Sequence, residues 1–129
     1  MSKTDLSPTE AEFKILNVLW QNGPLTVRAI HDQLETSSGY TTTLKLLQIM
    51  TTKKLVTRDE SSRAHIYSAA LSKDSAKQKE VKSLAGKLFG GSVLKLALGA
   101  LSEKKCSAED LQKIKELVAQ MEDEQSTKM

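Results

Sequence analysis

Residues 40–56, YTTTLKLLQIMTTKKLV, combine an apolar face and a polar face at the spacing of an α-helix. Leu46, Leu47 and Met50 recur at helical intervals, which predicts a helix with one buried side. The opposite side carries short hydroxyls, an amide and one cation, from Thr41, Thr42, Lys45, Gln48 and Thr52. Such groups contact the base edges and phosphates of DNA, although an ordinary solvated helix face has the same composition.

A first helix is predicted upstream of this segment. Ser7 is expected to be its N-cap, Pro8 its first residue, and Glu10 the acidic partner of a capping box. The sequence Asn22-Gly23-Pro24 ends it, because glycine accepts a left-handed conformation and proline cannot continue a helix. The residues predicted to face the core are Ala11, Ile15, Val18 and Leu19, with Phe13, Leu16 and Trp20 broadening the apolar stripe.

A second helix is predicted to run from Thr26, its N-cap, to about Glu35. Leu25, immediately before it, suits a single residue of edge strand. Ala29, Ile30 and Leu34 are expected to face inward, whereas Arg28, His31 and Asp32 are expected to face solvent.

A short β-hairpin is predicted after residue 55. Residues 56–58 suit a strand, residues 59–62 a turn, and residues 63–67 alternate with period two. The alternation places Arg63, His65 and Tyr67 on one face, and a hairpin of this size must pack one face on a helix. Three helices followed by a hairpin are the order of a winged helix-turn-helix.

From Leu71 onward the sequence predicts three short amphipathic helices. Ser72 and Ser107 are placed to cap the first and third, and residues 122–129 are expected to be frayed or disordered. Helices of this size cannot enclose a core alone, so we expect them to pack against a second copy of the chain. The residues predicted to form that dimer interface are Leu84, Leu88, Phe89, Leu94, Leu98, Leu101, Leu111, Ile114, Leu117, Val118 and Met121.

The predicted fold is therefore mainly α with a small β-hairpin. A winged-helix DNA-binding domain is expected over residues 1–71, and a helical dimerisation domain over residues 72–129.

Positive charge is concentrated on the predicted helix and hairpin. Residues 40–67 hold five basic and two acidic residues, whereas residues 1–39 hold three basic and five acidic ones. This distribution favours DNA binding more than the net charge of +3 does, since phosphate contacts supply most non-specific affinity. The predicted DNA contacts are Tyr40, Thr41, Thr42, Thr43, Lys45, Gln48, Lys53, Arg58, Arg63 and His65.

Other classes of function lack support in the sequence. No Cys/His cluster, nucleophile and base pair or glycine-rich phosphate loop is present, so neither a metal, a cofactor nor an enzymatic activity is expected. No apolar run approaches a membrane span and the N-terminus lacks a signal-peptide core, which predicts a cytoplasmic protein without membrane insertion. The single Cys106 follows Lys104-Lys105; an inert thiol is the simplest interpretation, and redox control through it is an alternative.

Four stretches together resemble one known family of transcriptional regulators. They are LSPTEAEFKILNVLWQNGPLTVRAIHDQL, YTTTLKLLQIMTTKKLV, RAHIYSA and LFGGSVLKLAL, and the likeness extends over residues 6–121. They resemble the penicillinase-repressor family, which includes the BlaI, MecI and CopY regulators. The resemblance implies a homodimer whose N-terminal winged helix binds double-stranded operator DNA and whose C-terminal helices exchange contacts between subunits. It also implies a membrane sensor-protease pathway that leads to cleavage in the dimerisation region and releases the DNA.

The chain departs from that family's pattern at several positions. Ile49 stands where members usually have arginine, and Lys54 where they have glycine; the turn there either tolerates a non-glycine residue or closes differently. The bond cut in the β-lactam-responsive members corresponds to Gly99-Ala100, which argues against proteolytic induction. The paired CxC motifs of the copper-responsive branch are absent from the sequence.

Two functions are compatible with these features. The first is a sequence-specific repressor that binds a pseudo-palindromic operator as a homodimer. The alternative is a winged-helix module that binds another protein and has no specific affinity for DNA.

Overall fold

The computed structural model describes residues 7–103 and 105–127. Its elements, in chain order, are α1 (Glu10–Asn22), β1 (Leu25–Thr26), α2 (Val27–Leu34), α3 (Tyr40–Thr52), β2 (Val56–Asp59), β3 (Ile66–Ala69), α4 (Lys73–Leu88), α5 (Val93–Ser102) and α6 (Ala108–Thr127). This order confirms the predicted fold, a mainly helical chain with a small antiparallel sheet. The hairpin of β2 and β3 follows three helices, and β1, between α1 and α2, adds a third strand.

Contacts divide the chain into two compact units, which separate after Ser83, within α4. The division is later than the domain boundary predicted after residue 71. Ala76, the fourth residue of α4, is buried and belongs with the first unit. The indole of Trp20 also donates a hydrogen bond to the carbonyl of Leu71, at 3.0 Å, which attaches the chain before α4 to α1.

Helix α1 begins at Glu10, two residues later than predicted, and its N-cap is Thr9, not Ser7. The N–H of Glu12 donates to the Thr9 hydroxyl at 3.2 Å, and the Glu12 carboxylate accepts from the N–H of Thr9 at 2.9 Å. The sequence holds two overlapping matches to the capping box, and the second one forms. The buried face of α1 also differs from the predicted one. Ala11, expected in the core, is exposed, and Glu12 is buried.

Helix α2 follows its prediction closely. Thr26 is the N-cap and accepts a hydrogen bond from the N–H of Ala29 at 3.2 Å, while Ile30 is fully buried. The core of the first unit combines side chains from α1, α2, α3 and the sheet, namely Ile15, Leu16, Leu19, Val27, Ile30, Leu47, Met50, Leu55, Val56 and Tyr67.

The sheet has the strand order β1-β3-β2, and β3 pairs antiparallel with both neighbours. Strand β3 begins at Ile66, three residues later than the strand predicted from residue 63, and residues 60–65 form the connection. Tyr67 pairs with both Leu25 and Arg58, and its side chain is 1% exposed. Arg63 and His65 precede this strand, so the predicted alternation does not define a strand face there, although all three residues line one groove. Tyr67 points into the core, while the other two lie in the exposed connection.

Lys54 closes the end of α3 in a left-handed conformation, with φ of 67°. The N–H of Leu55 donates to the carbonyl of Met50 at 2.9 Å, and that of Lys54 to Thr51 at 3.1 Å. These two bonds form a Schellman motif, in which the buried Met50 and Leu55 are the usual apolar pair. The turn therefore has the left-handed geometry that glycine favours, with a lysine in that position. Of the two possibilities that the sequence left open, this is the turn that tolerates a non-glycine residue.

In the second unit, Ser92 caps α5 and Ser107 caps α6, each through its hydroxyl. Helix α6 extends to Thr127, which corrects the expected disorder for residues 122–127, while residues 128 and 129 lie outside the described part. The Thr127 hydroxyl donates to the carbonyl of Asp123 within the last turn. No single helix among the described residues is long and apolar enough to cross a membrane; α4 and α5 reach that threshold only when counted together across their break.

The apolar side chains predicted to form a dimer interface are unusually accessible. Phe89 and Ile114 are half-buried, and the others are exposed, namely Leu84, Leu88, Leu94, Leu98, Leu101, Leu111, Leu117, Val118 and Met121.

Candidate nucleic-acid interface

The exposed face of α3 presents a stripe of polar side chains. Thr41, Lys45, Gln48 and Thr52 follow at steps of four, three and four residues, which places them along one side of the helix. Thr42 lies beside them and is also exposed. The stripe contains hydroxyl, amide and ammonium groups, which can donate and accept hydrogen bonds on base edges.

Thr43 lies on the opposite, inward face and is 1% exposed. Its hydroxyl is 2.8 Å from Nδ1 of His31 on α2. Thr43 is therefore misplaced among the predicted DNA contacts, and His31 is half-buried where the sequence pattern predicted a solvent-facing side chain. The pair instead joins α2 to α3, on the side of α3 opposite the polar stripe.

Tyr40, the first residue of α3, packs against two side chains of α2. The guanidinium carbon of Arg28 lies 4.4 Å from the centre of its ring, a cation–π arrangement. The His31 ring meets it edge to face, with centroids 5.9 Å apart. These contacts and the Thr43 bond hold the start of α3 on α2.

Lys53, another predicted DNA contact, is engaged within the protein. Its ammonium nitrogen lies 2.9 Å from a carboxylate oxygen of the buried Glu12 and 3.4 Å from the carbonyl oxygen of Ser7. Because its charge is largely neutralised by Glu12, Lys53 is better placed to attach α3 to α1 than to contact a phosphate.

The connection between β2 and β3, residues 60–65, is the tip of the wing. Arg58 donates from Nε to a Glu60 carboxylate oxygen at 2.6 Å, and hydrogen bonds to Tyr67 and Glu60 raise the pKa of the Arg58 side chain. Arg58 thus stays protonated, but Glu60 compensates part of its charge. The N–H and hydroxyl of Ser61 hold the pKa of Asp59 below its ordinary value.

A groove of about 300 Å³ lies between the wing, α2 and the start of α3. Arg63 and His65, both predicted DNA contacts, line it from the wing, and Tyr40 lines it from α3. Arg28 lines it from α2 and was not among the predicted contacts. Helical periodicity indicated only that Arg28 faces solvent; its proximity to Tyr40 depends on how α2 packs on α3, which no linear spacing specifies.

Other kinds of site find little support in the described part of the chain. Across residues 7–103 and 105–127, no group of three or more His, Cys, Asp or Glu side chains is arranged to hold a metal ion. Cys106 is a free, half-buried thiol in the segment between α5 and α6.

Comparison with known proteins agrees with this architecture. The sequence model of the penicillinase repressor family matches residues 8–120. The penicillinase repressor of Staphylococcus aureus is 19% identical over 120 residues, which cover 92% of this chain and 95% of that protein. The match therefore includes both the winged helix and the C-terminal helices. By this match over nearly its whole length, the chain belongs to the penicillinase repressor family.

Proposed function

We propose that this protein is a transcriptional repressor that binds double-stranded operator DNA through α3 and the wing. The observation that carries the proposal is the exposed stripe of Thr41, Thr42, Lys45 and Gln48 beside the wing, where Arg63 is also exposed. The stripe supplies groups for base edges, and the wing supplies a cation for phosphates. Membership of the penicillinase repressor family supports transcriptional repression as the role. The proposed location is the cytoplasm, with the DNA.

The proposed active form is a homodimer joined through α4, α5 and α6. Exposed leucines along these helices support it, since Leu88 is 70% and Leu94 is 67% accessible in the single chain. A soluble protein rarely leaves so many apolar side chains in contact with water. A two-fold dimer would place two α3 helices on major-groove faces about 34 Å apart, so the operator would be a pseudo-palindrome.

The experiment is a selection of duplexes by the full-length protein from a random-sequence pool, followed by a salt titration of binding. We expect enrichment of a two-fold-related motif and an affinity that falls steeply with salt, because bound phosphates release counterions. A single-stranded pool of the same sequences is the control for general polyanion binding. Failure to bind duplex in dilute buffer, or equal affinity for both pools, would contradict the proposal.

The alternative, a module that binds another protein, is favoured by one observation. Ile49 is 40% exposed on the outward side of α3, where an apolar side chain suits a protein surface better than a phosphate. Binding of this kind would depend weakly on salt and would not enrich any duplex sequence. The selection therefore distinguishes the two functions.

Release of DNA through a sensor-protease pathway would require cleavage near Gly99-Ala100. Both residues lie within α5, and Gly99 is packed against Phe89, since a Cβ placed on it would lie 3.4 Å from the Phe89 ring. Proteases cut exposed, flexible loops more readily than helices. An inducing signal that leaves this bond intact fits the structure better.

A further inference from the structure

We propose that Arg28, held against Tyr40, forms with Arg63 a binding site for the phosphate backbone of DNA. The site is the groove between α2, the start of α3 and the wing. This inference rests on the proposed function, and it adds a contact from α2 that the sequence did not indicate.

The first support is the fixed position of Arg28. Its guanidinium lies over the Tyr40 ring at 4.4 Å, and the His31 ring packs against the same ring in a T-shaped arrangement. His31 is itself fixed by the buried Thr43 hydroxyl, 2.8 Å away. An arginine that is already restricted loses less conformational freedom when it binds, so its contribution to affinity is larger than that of a mobile side chain. Tyr40 is therefore a positioning residue, which acts on DNA through Arg28.

The second support is the charge of the groove. The described residues that line it include Arg28, Arg63 and His65 but no carboxylate. The ion pairs found within residues 7–103 and 105–127 join Lys53 to Glu12 and Arg58 to Glu60, so Arg28 is in neither. Asp32, one turn after Arg28 on α2, is not paired with it within 4.0 Å. Two arginines that are not engaged in these ion pairs are complementary to a phosphate, which the planar guanidinium can bind through two N–H groups.

The third support is the location of the groove. Tyr40 lines it and is followed directly by Thr41, the first residue of the polar stripe. The Arg63 side of the groove belongs to the wing, so a strand of DNA that follows the groove would contact α2, α3 and the wing together. Such a contact would fix the orientation of α3 and would not depend on base sequence.

The test compares full-length variants on a random-sequence duplex and on the duplex selected by the wild-type protein. For Arg28→Ala we expect roughly tenfold weaker binding, by the same factor on both duplexes, as for a phosphate contact. The slope of log affinity against log salt should become smaller by about 0.9 for each subunit that contacts DNA. Tyr40→Phe, which keeps the ring, should bind as the wild type does. Tyr40→Leu should weaken binding alone and add little in the Arg28→Ala background.

Lys77→Ala, on an exposed position of α4, removes the same charge outside the groove and should leave the salt slope unchanged. The thermal unfolding of each variant is compared with that of the wild type, which distinguishes a loss of binding from a loss of folded protein. If the wild type binds duplex and Arg28→Ala keeps its affinity and slope, the phosphate site is overturned while the proposed function stands. Full additivity of Arg28→Ala and Tyr40→Leu would overturn the positioning role of Tyr40. If the wild type ignores duplex in dilute buffer, both proposals fail.

Discussion

The ammonium of Lys53 lies 2.9 Å from the carboxylate of Glu12, and this ion pair joins the end of α3 to the first turn of α1. Glu12 is only 2% exposed, and the same carboxylate oxygen accepts the N–H of Thr9 at the N-cap. One buried acid thus serves both the capping box of α1 and the attachment of α3. The pair fixes how α3, with its polar stripe, sits on the scaffold.

Substitution of Lys53 by methionine should destabilise the fold by about 1–3 kcal/mol. The loss comes from the unpaired buried carboxylate, and it should be smaller than the 3–5 kcal/mol of a fully buried pair because Lys53 is 18% exposed. Urea denaturation measures the change in the free energy of unfolding. Lys53→Met combined with Glu12→Gln should recover most of the stability, since the amide oxygen can still accept at the cap. Unchanged stability together with weaker DNA binding would show that Lys53 contacts DNA, as its place in the sequence predicts.

Replacing Lys54 by glycine should stabilise the protein. Lys54 has a φ of 67°, and a left-handed conformation costs a residue with a Cβ roughly 1 kcal/mol or more relative to glycine. The greater freedom of glycine in the unfolded chain offsets part of this gain, so we expect about 0.5–1 kcal/mol in urea denaturation. Lys54→Ala is the control, because it removes the same charge and keeps the Cβ. An equal gain from Lys54→Ala would indicate that repulsion between neighbouring lysines, and not backbone strain, is relieved.

Local signals in the sequence were sufficient for most helix positions and for the order of elements. Gly23 and Thr26 mark a helix end and a helix start through their own backbone or hydroxyl chemistry, and the structure has both where the sequence placed them. Ser7 and Thr9 show the limit of such signals, since both fit the capping motif. Thr9 is the N-cap in the structure, and its partner in the capping box is Glu12. Glu12 is also held by Lys53, which is distant in the sequence.

The errors arose where contacts between distant segments decide the structure. Strand β3 begins at Ile66 because its pairing ends there with both neighbours, opposite Asp59 of β2 and Thr26 of β1. The alternation of residues 63–67 contains no information about either register. His31 was expected to face solvent because periodicity shows which residues share a face, but not which neighbouring helix covers it. Arg28 was overlooked as a site residue for the same reason. Thr43 is a different case, since its spacing from Leu47 and Met50 already places it on the apolar face of α3.

Substitution of Lys45 by alanine should weaken DNA binding without affecting stability, because Lys45 is exposed on the polar stripe. If Lys45 binds a guanine, we expect a loss of about 1–3 kcal/mol on the selected duplex and little on random sequence. If it binds a phosphate, the loss should be uniform across sequences. Gel-shift titration on both duplexes separates these outcomes, with Lys77→Ala as the control for loss of charge. Unchanged binding on both would remove Lys45 from the interface.

Substitution of Ile49 by arginine should strengthen binding to DNA. Ile49 is 40% exposed on α3, so an arginine there can extend into solvent without disturbing the core. One added phosphate contact should increase the dependence on salt by about 0.9 per subunit in the slope of log affinity against log salt. Ile49→Gln, which is polar but uncharged, is the control and should not change the slope. Weaker binding by Ile49→Arg would instead indicate that Ile49 makes an apolar contact, with a thymine methyl group or with a protein partner.

Substitution of Leu117 by glutamate should prevent dimer formation. Leu117 is 55% exposed on α6 in the single chain, so the change should not disturb the fold of the protomer. In the proposed dimer it would bury an unpaired carboxylate from each subunit, at a cost of at least about 3 kcal/mol. Sedimentation velocity should show a monomer, and the affinity for a pseudo-palindromic duplex should fall because each protomer then binds with one α3. Gln120→Glu, at an exposed polar position of the same helix, is the matched control and should remain dimeric. A dimer that survives Leu117→Glu, Leu98→Glu and the double variant would place the interface outside these helices.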